Sequence, residues 1–385
     1  MAGGGGVTLD RIVVVGASIA GVTAAASLRT AGWTGTLTLI GEESADPYSR
    51  VPLSKGVLAG TQTPESAILP SLPGDVDVRL GSRAVGLHTE TREVLLADGA
   101  TIRYDGLVVA TGARARRLAR PGQQGELVVR TLRDAAAIAE RLPRAATAIV
   151  VGGSFLGMEV ASTLIRHGLD VTVVDMAEPL RQVLGPWLAA HIGRVAEEAG
   201  IRVVVSEGGV ALEGEPVSRV RLSDGRSLSA DLVVSAVGDL PNTEWLHGSG
   251  VTVANGVVVD GRCRVAPGIV AAGDVVARQA APGVFRRTPH WTNAVVQGRA
   301  AATTLLNPAA PAYVPDHYFW TEQFGLDIKI AGQPPLIGVP EIIDGDIDSG
   351  KVLLRWTENE TTTAVVAINY RVPAARLKAM ARTDR

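Results

Sequence analysis

Short apolar runs that end in glycine-rich turns recur along the chain and predict the buried strands of parallel sheets. Arg11–Val15 and residues 148–151 are two such runs, and each leads through a turn into a segment with apolar residues at helical spacing. Thr36–Ile40 and the run that ends on Asp175 predict the strand that follows each helix. Because strand, helix and strand alternate in this way twice, the pattern indicates an α/β protein with two Rossmann-like dinucleotide-binding domains.

Other parts of the chain show the patterns of smaller elements. Residues 77–104 alternate in short strands with an Asp-Gly turn, which predicts a small antiparallel meander. Residues 201–231 are predicted to form more short strands, again with an Asp-Gly turn. The remaining predicted elements are strands at residues 106–112, 232–238 and 269–274, helices from about residue 130, at 187–199 and at Trp291–Leu306, and tail strands at 351–356 and 363–370. We expect the tail from residue 313 to form a third, small α+β domain.

The two strand-to-helix turns carry the glycines that a dinucleotide site needs. They read GASIAG from Gly16 and GGSFLG from Gly152. Glycines in such turns let the backbone approach a pyrophosphate at the positive end of a helix. Ser18 and Ser154 stand where a second glycine is usual. Each turn alone could be an ordinary strand-to-helix connection, but the pair indicates two dinucleotide sites.

Charged residues near these turns are candidate cofactor ligands. Glu42 and Asp175 follow the turns by the roughly 20 residues that suit an acid binding an adenosine ribose. Arg50 and Lys55 flank a rigid Val-Pro, and they are either a solvated pair on a surface loop or cations directed at a cofactor. Asp274 ends an apolar strand, where its carboxylate could accept a hydrogen bond from a ligand hydroxyl or could cap a helix.

Composition and charge narrow the classes of function. The length of 385 residues predicts two or three domains, and the hydrophobic content of 46% indicates that they are globular. Because 37 basic and 39 acidic residues nearly cancel, the charge gives no case for nucleic acid or an anionic membrane as partner. No apolar run approaches the length of about 20 residues that is needed to span a bilayer. The four arginines within residues 114–120 form either a solvated linker or a basic patch for an acidic partner.

The single cysteine and the start of the chain bear on its compartment. Cys263 excludes an intrachain disulfide or redox dithiol, and we interpret it as a small residue in a sheet. Residues 1–10 lack the basic segment and apolar core of a signal peptide, so we expect a flexible lead-in and a cytoplasmic protein. The histidines show no metal-ligand spacing and are interpreted as structural, which predicts no metal site.

Several motifs, in one order between Arg11 and Gln323, are similar to those of one family. They are GASIAG, RVPLSK from Arg50, ATGA from Ala110, RTLRDA from Arg130, VVGGSFLGMEVA, AVGDLPN, AAGDV and FWTEQ from Phe319. The chain thereby resembles the FAD- and NADH-dependent ferredoxin reductases, such as putidaredoxin reductase and the reductase components of ring dioxygenases. Apoptosis-inducing factor and the rubredoxin reductases look similar in the same way. Val51 stands where this family usually has proline, and His290 where an acid is common.

The resemblance implies a glutathione-reductase-like fold with three functional parts. A discontinuous FAD-binding domain would comprise residues 1–112 and 235–312. An NAD-binding domain would be inserted at residues 113–234, and a C-terminal domain would follow at residues 313–385.

The resemblance also implies which residues bind the two cofactors. The implied FAD contacts are Gly16, Ser18, Ala20, Gly21, Glu42, Arg50, Lys55, Val85, Thr111, Gly112, Arg130, Gly273, Asp274, Trp291 and Trp320. The implied NAD contacts are Gly152, Gly153, Ser154, Phe155, Leu156, Glu159, Asp175 and Gly238. Asp274 would bind the ribityl chain, and the backbone at Trp291 would present a helix N-terminus to the flavin ring. The acid at Asp175, with no arginine between it and Arg181, favours NADH over NADPH.

The implied reaction is a hydride transfer from NADH to FAD, followed by single-electron transfer to a small [2Fe-2S] or other iron–sulfur ferredoxin that serves a haem monooxygenase or a ring dioxygenase. Lys55 and Glu159 are the implied catalytic residues, which pair beside the flavin and orient the nicotinamide. Trp320 would cover the flavin and face the acceptor, or else be a core tryptophan. We expect a monomer or a weak dimer.

Two other functions stay open at this point. The first is a small-molecule flavin reductase such as an NADH oxidase, a peroxidase or a disulfide-type reductase. Such enzymes commonly need a redox cysteine early in the chain, and Cys263 lies far from both glycine turns. The second is an NADH-sensing interaction flavoprotein, in which slow reoxidation of the flavin is the signal.

Overall fold

The structure is a computed structural model that describes residues 9–382. Residues 1–8, with most of the expected lead-in, and residues 383–385 lie outside the described residues. Between residues 9 and 382, no helix is both long enough and apolar enough to cross a membrane.

The helices and strands are numbered in chain order. The strands are β1 (Arg11–Val15), β2 (Thr36–Ile40), β3 (Val76–Arg79), β4 (Ala84–His88), β5 (Glu93–Leu96), β6 (Thr101–Arg103), β7 (Gly106–Val109), β8 (Ala113–Ala115), β9 (Thr147–Val151), β10 (Asp170–Asp175), β11 (Arg202–Val205), β12 (Val210–Gly214), β13 (Val217–Leu222), β14 (Ser227–Ser229), β15 (Leu232–Ser235), β16 (Asp239–Pro241), β17 (Val257–Val259), β18 (Arg264–Ala266), β19 (Ile269–Ala271), β20 (Val276–Ala281), β21 (Val284–Arg286), β22 (Tyr318–Gln323), β23 (Leu326–Gly332), β24 (Glu341–Asp346), β25 (Lys351–Glu358) and β26 (Thr361–Ile368). The α-helices are α1 (Ile19–Thr30), α2 (Leu132–Ala139), α3 (Phe155–Arg166), α4 (Arg181–Leu184), α5 (Pro186–Glu198), α6 (Trp291–Leu306) and α7 (Ala374–Met380).

The chain divides into two compact units, each made of separate segments. Unit 1 consists of the described part of Met1–Ser49 with Ala67–Arg114 and Leu240–Asp316. Unit 2 consists of Arg50–Ser66, Ala115–Asp239 and the described part of His317–Arg385.

Unit 1 is built on a six-stranded sheet with the strand order β18-β19-β7-β1-β2-β3. β18 runs antiparallel to β19, and the other neighbours are parallel. Successive residues of a strand point to opposite faces, so Ile12 and Val14 pack with α1 and α6, whereas Val13 and Val15 pack with the β4-β5-β6 meander. The predicted antiparallel meander at 77–104 is wrong at its start, because residues 76–79 form β3, which extends the parallel sheet as its edge strand.

Unit 2 contains the second predicted strand–turn–helix unit. Its four-stranded sheet has the order β11-β10-β9-β15 and is parallel throughout. Helix α3 directly follows the central strand β9 in the chain. An antiparallel sheet, β12-β13-β14, packs against one face. The tail contributes five antiparallel strands in the order β22-β23-β26-β25-β24 and helix α7, and these elements belong to unit 2.

Candidate cofactor and active site

The first glycine turn, in unit 1, has the shape of a phosphate cradle. Gly16 has φ of +121°, and a Cβ there would overlap the carbonyl oxygen of Ala110. A Cβ on Gly21 would overlap the carbonyl oxygen of Gly16. Helix α1 opens at Ile19, and the side chain of Ser18, its N-cap residue, makes no capping hydrogen bond. The turn therefore keeps the N-terminal N–H groups of α1 uncapped by Ser18, as a bound pyrophosphate requires.

Other predicted FAD residues gather around this turn within unit 1. A Cβ on Gly273, whose φ is +84°, would lie 2.8 Å from the Cβ of Ala20, so the turn before Asp274 lies against the start of α1. The Thr111 hydroxyl donates to the Asn242 carbonyl oxygen at 2.7 Å, and the Asn242 amide donates back to the Thr111 carbonyl oxygen at 2.9 Å. This exchange fixes the turn that ends at Gly112, where φ is +61°.

The remaining predicted FAD residues of unit 1 lie at different sites. Glu42 is exposed and lies 3.5 Å from the Arg83 guanidinium. Val85 is 42% exposed on β4. Trp291 is the first residue of α6, with His290 at the N-cap position. Asp274 is followed by strand β20 and not by a helix, so the alternative that it is a helix N-cap residue is wrong.

Gln297 supports the Gly273–Asp274 turn and was not among the predicted site residues. Its buried side chain accepts a hydrogen bond from the Gly273 N–H at 2.8 Å and donates to the Tyr313 hydroxyl at 2.8 Å. A buried amide in an otherwise alanine-rich helix is the sequence signal that marks it, because such an amide must find partners.

The second glycine turn, in unit 2, repeats the cradle. Gly152 has φ of +102°, and a Cβ on Gly157 would overlap the Gly152 carbonyl oxygen. Helix α3 opens at Phe155 after Ser154, whose side chain makes no capping bond. Asp175 accepts hydrogen bonds from the N–H groups of Gly153 at 2.7 Å and Met176 at 2.6 Å, so the acid is positioned against the turn.

The other predicted NAD residues of unit 2 flank this cradle. Leu156 follows Phe155 in the first turn of α3, and the Phe155 ring packs edge-on against Phe319 with centroids 5.2 Å apart. Gly238, three residues beyond the end of β15, has φ of +90°. Both glycine turns thus combine a crowded glycine, an uncapped helix start and a following acid, and they fit a dinucleotide.

Glu159 is the centre of a buried charged cluster in unit 2. The Lys55 ammonium donates to Glu159 Oε2 at 2.7 Å, and the Ser54 hydroxyl donates to the same oxygen at 2.6 Å. The Thr321 hydroxyl donates to Oε1 at 2.6 Å. Only 6% of the Glu159 side chain and 13% of the Lys55 side chain are exposed. A carboxylate this buried is stable because all three partners donate to it.

The sequence brings these groups together through one face of α3. Glu159, Ser162 and Thr163 are spaced by three and four residues and therefore share a face. Thr163 donates to the Ser54 carbonyl oxygen at 3.0 Å, and Ser162 accepts from the Phe324 N–H at 2.7 Å. The face thus binds the loop of residues 50–66 on one side and the β22 segment on the other.

Arg50 and Lys55 are not a solvated pair. Arg50 is half-buried and donates to the Arg130 carbonyl oxygen at 2.7 Å, which brings two of the predicted FAD residues together. Arg130 itself lies before α2, where Thr131 and Asp134 form a capping box. Trp320 is half-buried on β22 and tilts against Tyr318, with ring centroids 6.2 Å apart.

Cys263 differs from its sequence-based interpretation. It lies in the bend just before β18 with φ of +63°, and not in a sheet. Burial raises the pKa of its thiol to about 12, so the thiolate is scarce near neutral pH.

In the arginine segment of residues 114–120, Arg114 pairs with Glu244 at 2.6 Å, and Arg117 lies 3.7 Å from Glu126.

Known proteins are similar to this chain along nearly its whole length. A model of the family described as pyridine nucleotide-disulphide oxidoreductase matches residues 10–298. The chain is 37% identical over 385 residues to the biphenyl dioxygenase system ferredoxin–NAD(+) reductase component of Paraburkholderia xenovorans (strain LB400), which covers 96% of this chain and 93% of that relative.

Two solved structures share the architecture. The ferredoxin reductase for the CYP199A2 system from Rhodopseudomonas palustris matches with a TM-score of 0.85 and 30% identity, over 94% of this chain and 91% of that one. Putidaredoxin reductase, in its covalent complex with putidaredoxin, matches with a TM-score of 0.84 and 29% identity, over 96% of this chain and 92% of that one.

The two glycine cradles, each followed by a parallel strand and an acid, define a flavin- and nicotinamide-dependent oxidoreductase, and the chain belongs to the pyridine nucleotide-disulphide oxidoreductase family. Within that family it is one of the NADH-dependent ferredoxin–NAD(+) reductases. Its cofactors are FAD and NADH. The fold class and the family predicted from the sequence are both confirmed.

Proposed function

We propose that this chain passes electrons from NADH, one at a time, to a small [2Fe-2S] ferredoxin that serves an oxygenase. The observation that carries the proposal is the buried Glu159 carboxylate. Glu159 lies on the helix that opens at the second glycine turn, and it accepts a hydrogen bond from Lys55. The names of two relatives support it: one is the ferredoxin–NAD(+) reductase component of a biphenyl dioxygenase system, and the other is putidaredoxin reductase in a covalent complex with putidaredoxin.

We assign the nicotinamide nucleotide to the second cradle. The N-terminus of α3, with Gly152, Gly153, Ser154, Phe155 and Leu156, binds the pyrophosphate, and Gly238 leaves room beside it. Asp175 accepts the hydroxyl hydrogen bonds of the adenosine ribose, and its charge repels a 2′-phosphate. Arg181, the first arginine after Asp175, forms a surface ion pair with Glu178 at 2.6 Å. These contacts favour NADH over NADPH.

We assign FAD to the first cradle. Gly16, Ser18, Ala20 and Gly21 bind its pyrophosphate at the start of α1, and Glu42 binds its ribose. Bound FAD supplies a ring that accepts a hydride and releases single electrons. The further FAD contacts that we propose are Arg50, Lys55, Val85, Thr111, Gly112, Arg130, Gly273, Asp274, Trp291 and Trp320.

Lys55 and Glu159 are the proposed catalytic residues. Hydride transfer needs no general acid or base, so their role is to orient the nicotinamide and to balance charge. The ion pair suits this role because a fixed, buried pair of opposite charges keeps its direction during the reaction.

We also propose the finer organisation of the molecule. Residues 1–112 and 235–312 serve FAD, residues 113–234 serve NAD, and residues 313–385 present Trp320 to the acceptor. The protein works in the cytoplasm as a monomer or a weak dimer.

The chemistry of Cys263 argues against a disulfide-type reductase. A single buried thiol with its pKa raised to about 12 supplies neither a thiolate near neutral pH nor a second thiol to close a disulfide.

The test compares acceptors. Purified holoprotein is mixed with NADH and either a [2Fe-2S] ferredoxin of a ring-dioxygenase system with cytochrome c, or oxygen alone, or a small disulfide. We expect fast cytochrome c reduction that requires the ferredoxin, slow consumption of NADH with oxygen or the disulfide, and the same rates in Cys263→Ala. Fast turnover with oxygen would favour an NADH oxidase, loss of turnover in Cys263→Ala a disulfide-type reductase, and slow turnover with every acceptor an NADH sensor.

A further inference from the structure

Thr321 on strand β22 is the third donor to the Glu159 carboxylate and belongs to no predicted site. We propose that Thr321, together with Ser54, is a positioning residue that fixes the direction of the Lys55–Glu159 pair. This inference rests on the proposed function, since it matters only if that pair orients the nicotinamide.

The hydrogen bonds around Glu159 restrain both carboxylate oxygens. Oε2 accepts from Lys55 and Ser54, and Oε1 accepts from Thr321. An ionised carboxylate offers only acceptors, so both hydroxyl protons must point toward it. With partners on each oxygen, the carboxylate cannot rotate without breaking a charge-assisted hydrogen bond.

The Thr321 hydroxyl is itself directed by its surroundings. Thr321 is 0% exposed, and the Gln323 amide donates to its Oγ1 at 3.3 Å. Because the amide N–H donates to this oxygen, the single hydroxyl proton of Thr321 is available for Glu159. The Thr321 hydroxyl is therefore already directed at the Glu159 carboxylate.

Strand β22 is held alongside α3 by contacts on both sides of Glu159. Phe319 packs against Phe155 four residues before Glu159, and the Phe324 N–H donates to Ser162 three residues after it. Thr321 lies between these two contacts. Because successive residues of a strand point to opposite faces, Trp320 lies on the face away from Glu159. The position of the β22 backbone therefore sets both the Thr321–Glu159 bond and the placement of Trp320.

Removal of the Thr321 hydroxyl would leave Oε1 without this partner in a buried site. The carboxylate would turn to recover a partner, and Lys55 would lose its fixed position. Misplacement by about 1 Å can slow an oriented reaction by up to about 100-fold. We therefore expect Thr321→Val to slow reduction of the bound flavin at saturating NADH by about 10-fold or more, and Thr321→Ser to stay within about twofold of wild type.

The experiment uses the holoprotein and four matched variants. Thr321→Val and Ser54→Ala remove the two hydroxyls. Thr363→Val and Ser66→Ala are the controls, because their hydroxyls donate only to main-chain carbonyl oxygens in the same sheet and the same loop. Stopped-flow absorbance gives the rate of flavin reduction, and crystal structures give the distance from Lys55 Nζ to Glu159 Oε2. We expect slower reduction and a longer distance in the first two variants, and neither change in the controls.

A double-mutant cycle with Glu159→Gln separates the inference from the proposed function. If Thr321 acts through Glu159, Thr321→Val should add little to the effect of Glu159→Gln. Equal slowing in both backgrounds, an unchanged rate in Thr321→Val, or equal loss in Thr321→Ser and Thr321→Val would overturn the inference. An unchanged rate in Glu159→Gln would instead overturn the proposed role of the pair. If Thr321→Val does not fold, the same cycle is run with Ser54→Ala.

Discussion

A carboxylate as deeply buried as that of Glu159 persists only when its charge is balanced and its oxygens are hydrogen-bonded. The three donors satisfy that condition, although Lys55 and Ser54 lie more than 100 residues before Glu159 in the chain and Thr321 lies far after it. No local pattern reports such a cluster. The resemblance implied the Lys55–Glu159 pair. Ser54 and Thr321 lie within the RVPLSK and FWTEQ motifs, but no role was predicted for either, because a serine and a threonine are common in any loop or strand.

The first prediction concerns the ion pair. Lys55→Met leaves the Glu159 charge buried without its counter-ion, and breaking one partner of a buried pair costs about 3–5 kcal/mol. We expect a clear fall in the urea-denaturation midpoint, and a partial recovery in the double variant Lys55→Met/Glu159→Gln, which removes the stranded charge. Lys351→Met, at an exposed position of β25, is the control and should change stability by less than about 0.5 kcal/mol. A double variant less stable than Lys55→Met would contradict this account of the cluster.

At the scale of elements, the sequence predicted best where a buried run meets a turn. The strands Arg11–Val15 and Thr36–Ile40 and the helix Trp291–Leu306 have the bounds that the pattern predicts. β3 was missed as a parallel strand because only one of its four residues is buried, so it lacks the continuous apolar run of a central strand. Cys263 was misplaced because a positive φ cannot be seen in the sequence.

The second prediction tests the two cradles separately. An added methyl group on Gly157 or Gly21 overlaps a backbone carbonyl oxygen, and such overpacking costs about 1–3 kcal/mol. Because this overlap would displace the Gly152 turn that we assign to the nicotinamide nucleotide, we expect Gly157→Ala to raise the KM for NADH by about tenfold, or about 1.4 kcal/mol of binding free energy, with normal FAD content. Gly21→Ala should instead reduce the FAD content of the purified protein.

The control for these variants is Gly193→Ala in α5, where a Cβ would meet nothing within 4 Å. It should leave both cofactors unaffected and stabilise the helix by up to about 1 kcal/mol. Loss of FAD in Gly157→Ala, or of NADH affinity alone in Gly21→Ala, would reverse the assignment of the two turns.

The third prediction concerns His191 on α5. Burial, with Arg194 nearby, lowers the pKa of its imidazole below 6.5, while Asp348 and Glu198 oppose the shift. Between the folded and unfolded pKa values the unfolded chain binds more protons, so stability rises with pH in that window. Wild type should therefore lose stability relative to His191→Gln as the pH falls below about 6.5.

The measurement is the difference between the urea midpoints of the two proteins across pH 5–8, the range about the ordinary histidine pKa. The difference should be constant above that pKa and should shift in favour of His191→Gln below it. His247→Gln, at an exposed position, should follow wild type throughout. A difference that does not change with pH would show that His191 takes no part in the acid sensitivity.

At the scale of the whole molecule, the chain forms two compact units from interleaved segments. The patterns predicted the alternating strands and helices of both. They did not predict that residues 50–66 belong with the second glycine turn, because that placement depends on contacts such as Ser54–Thr163 between distant segments. The functional division into FAD, NAD and C-terminal parts stays a prediction.

NADH-specific reduction of the bound flavin is best measured by anaerobic stopped-flow absorbance, with the yellow holoprotein mixed with NADH and, separately, with NADPH. We predict rapid bleaching of the flavin by NADH, far slower bleaching by NADPH, and slowing by about 10- to 100-fold with NADH in Glu159→Gln. Equal rates with both nucleotides, no change in Glu159→Gln, or a purified protein without flavin would contradict this prediction.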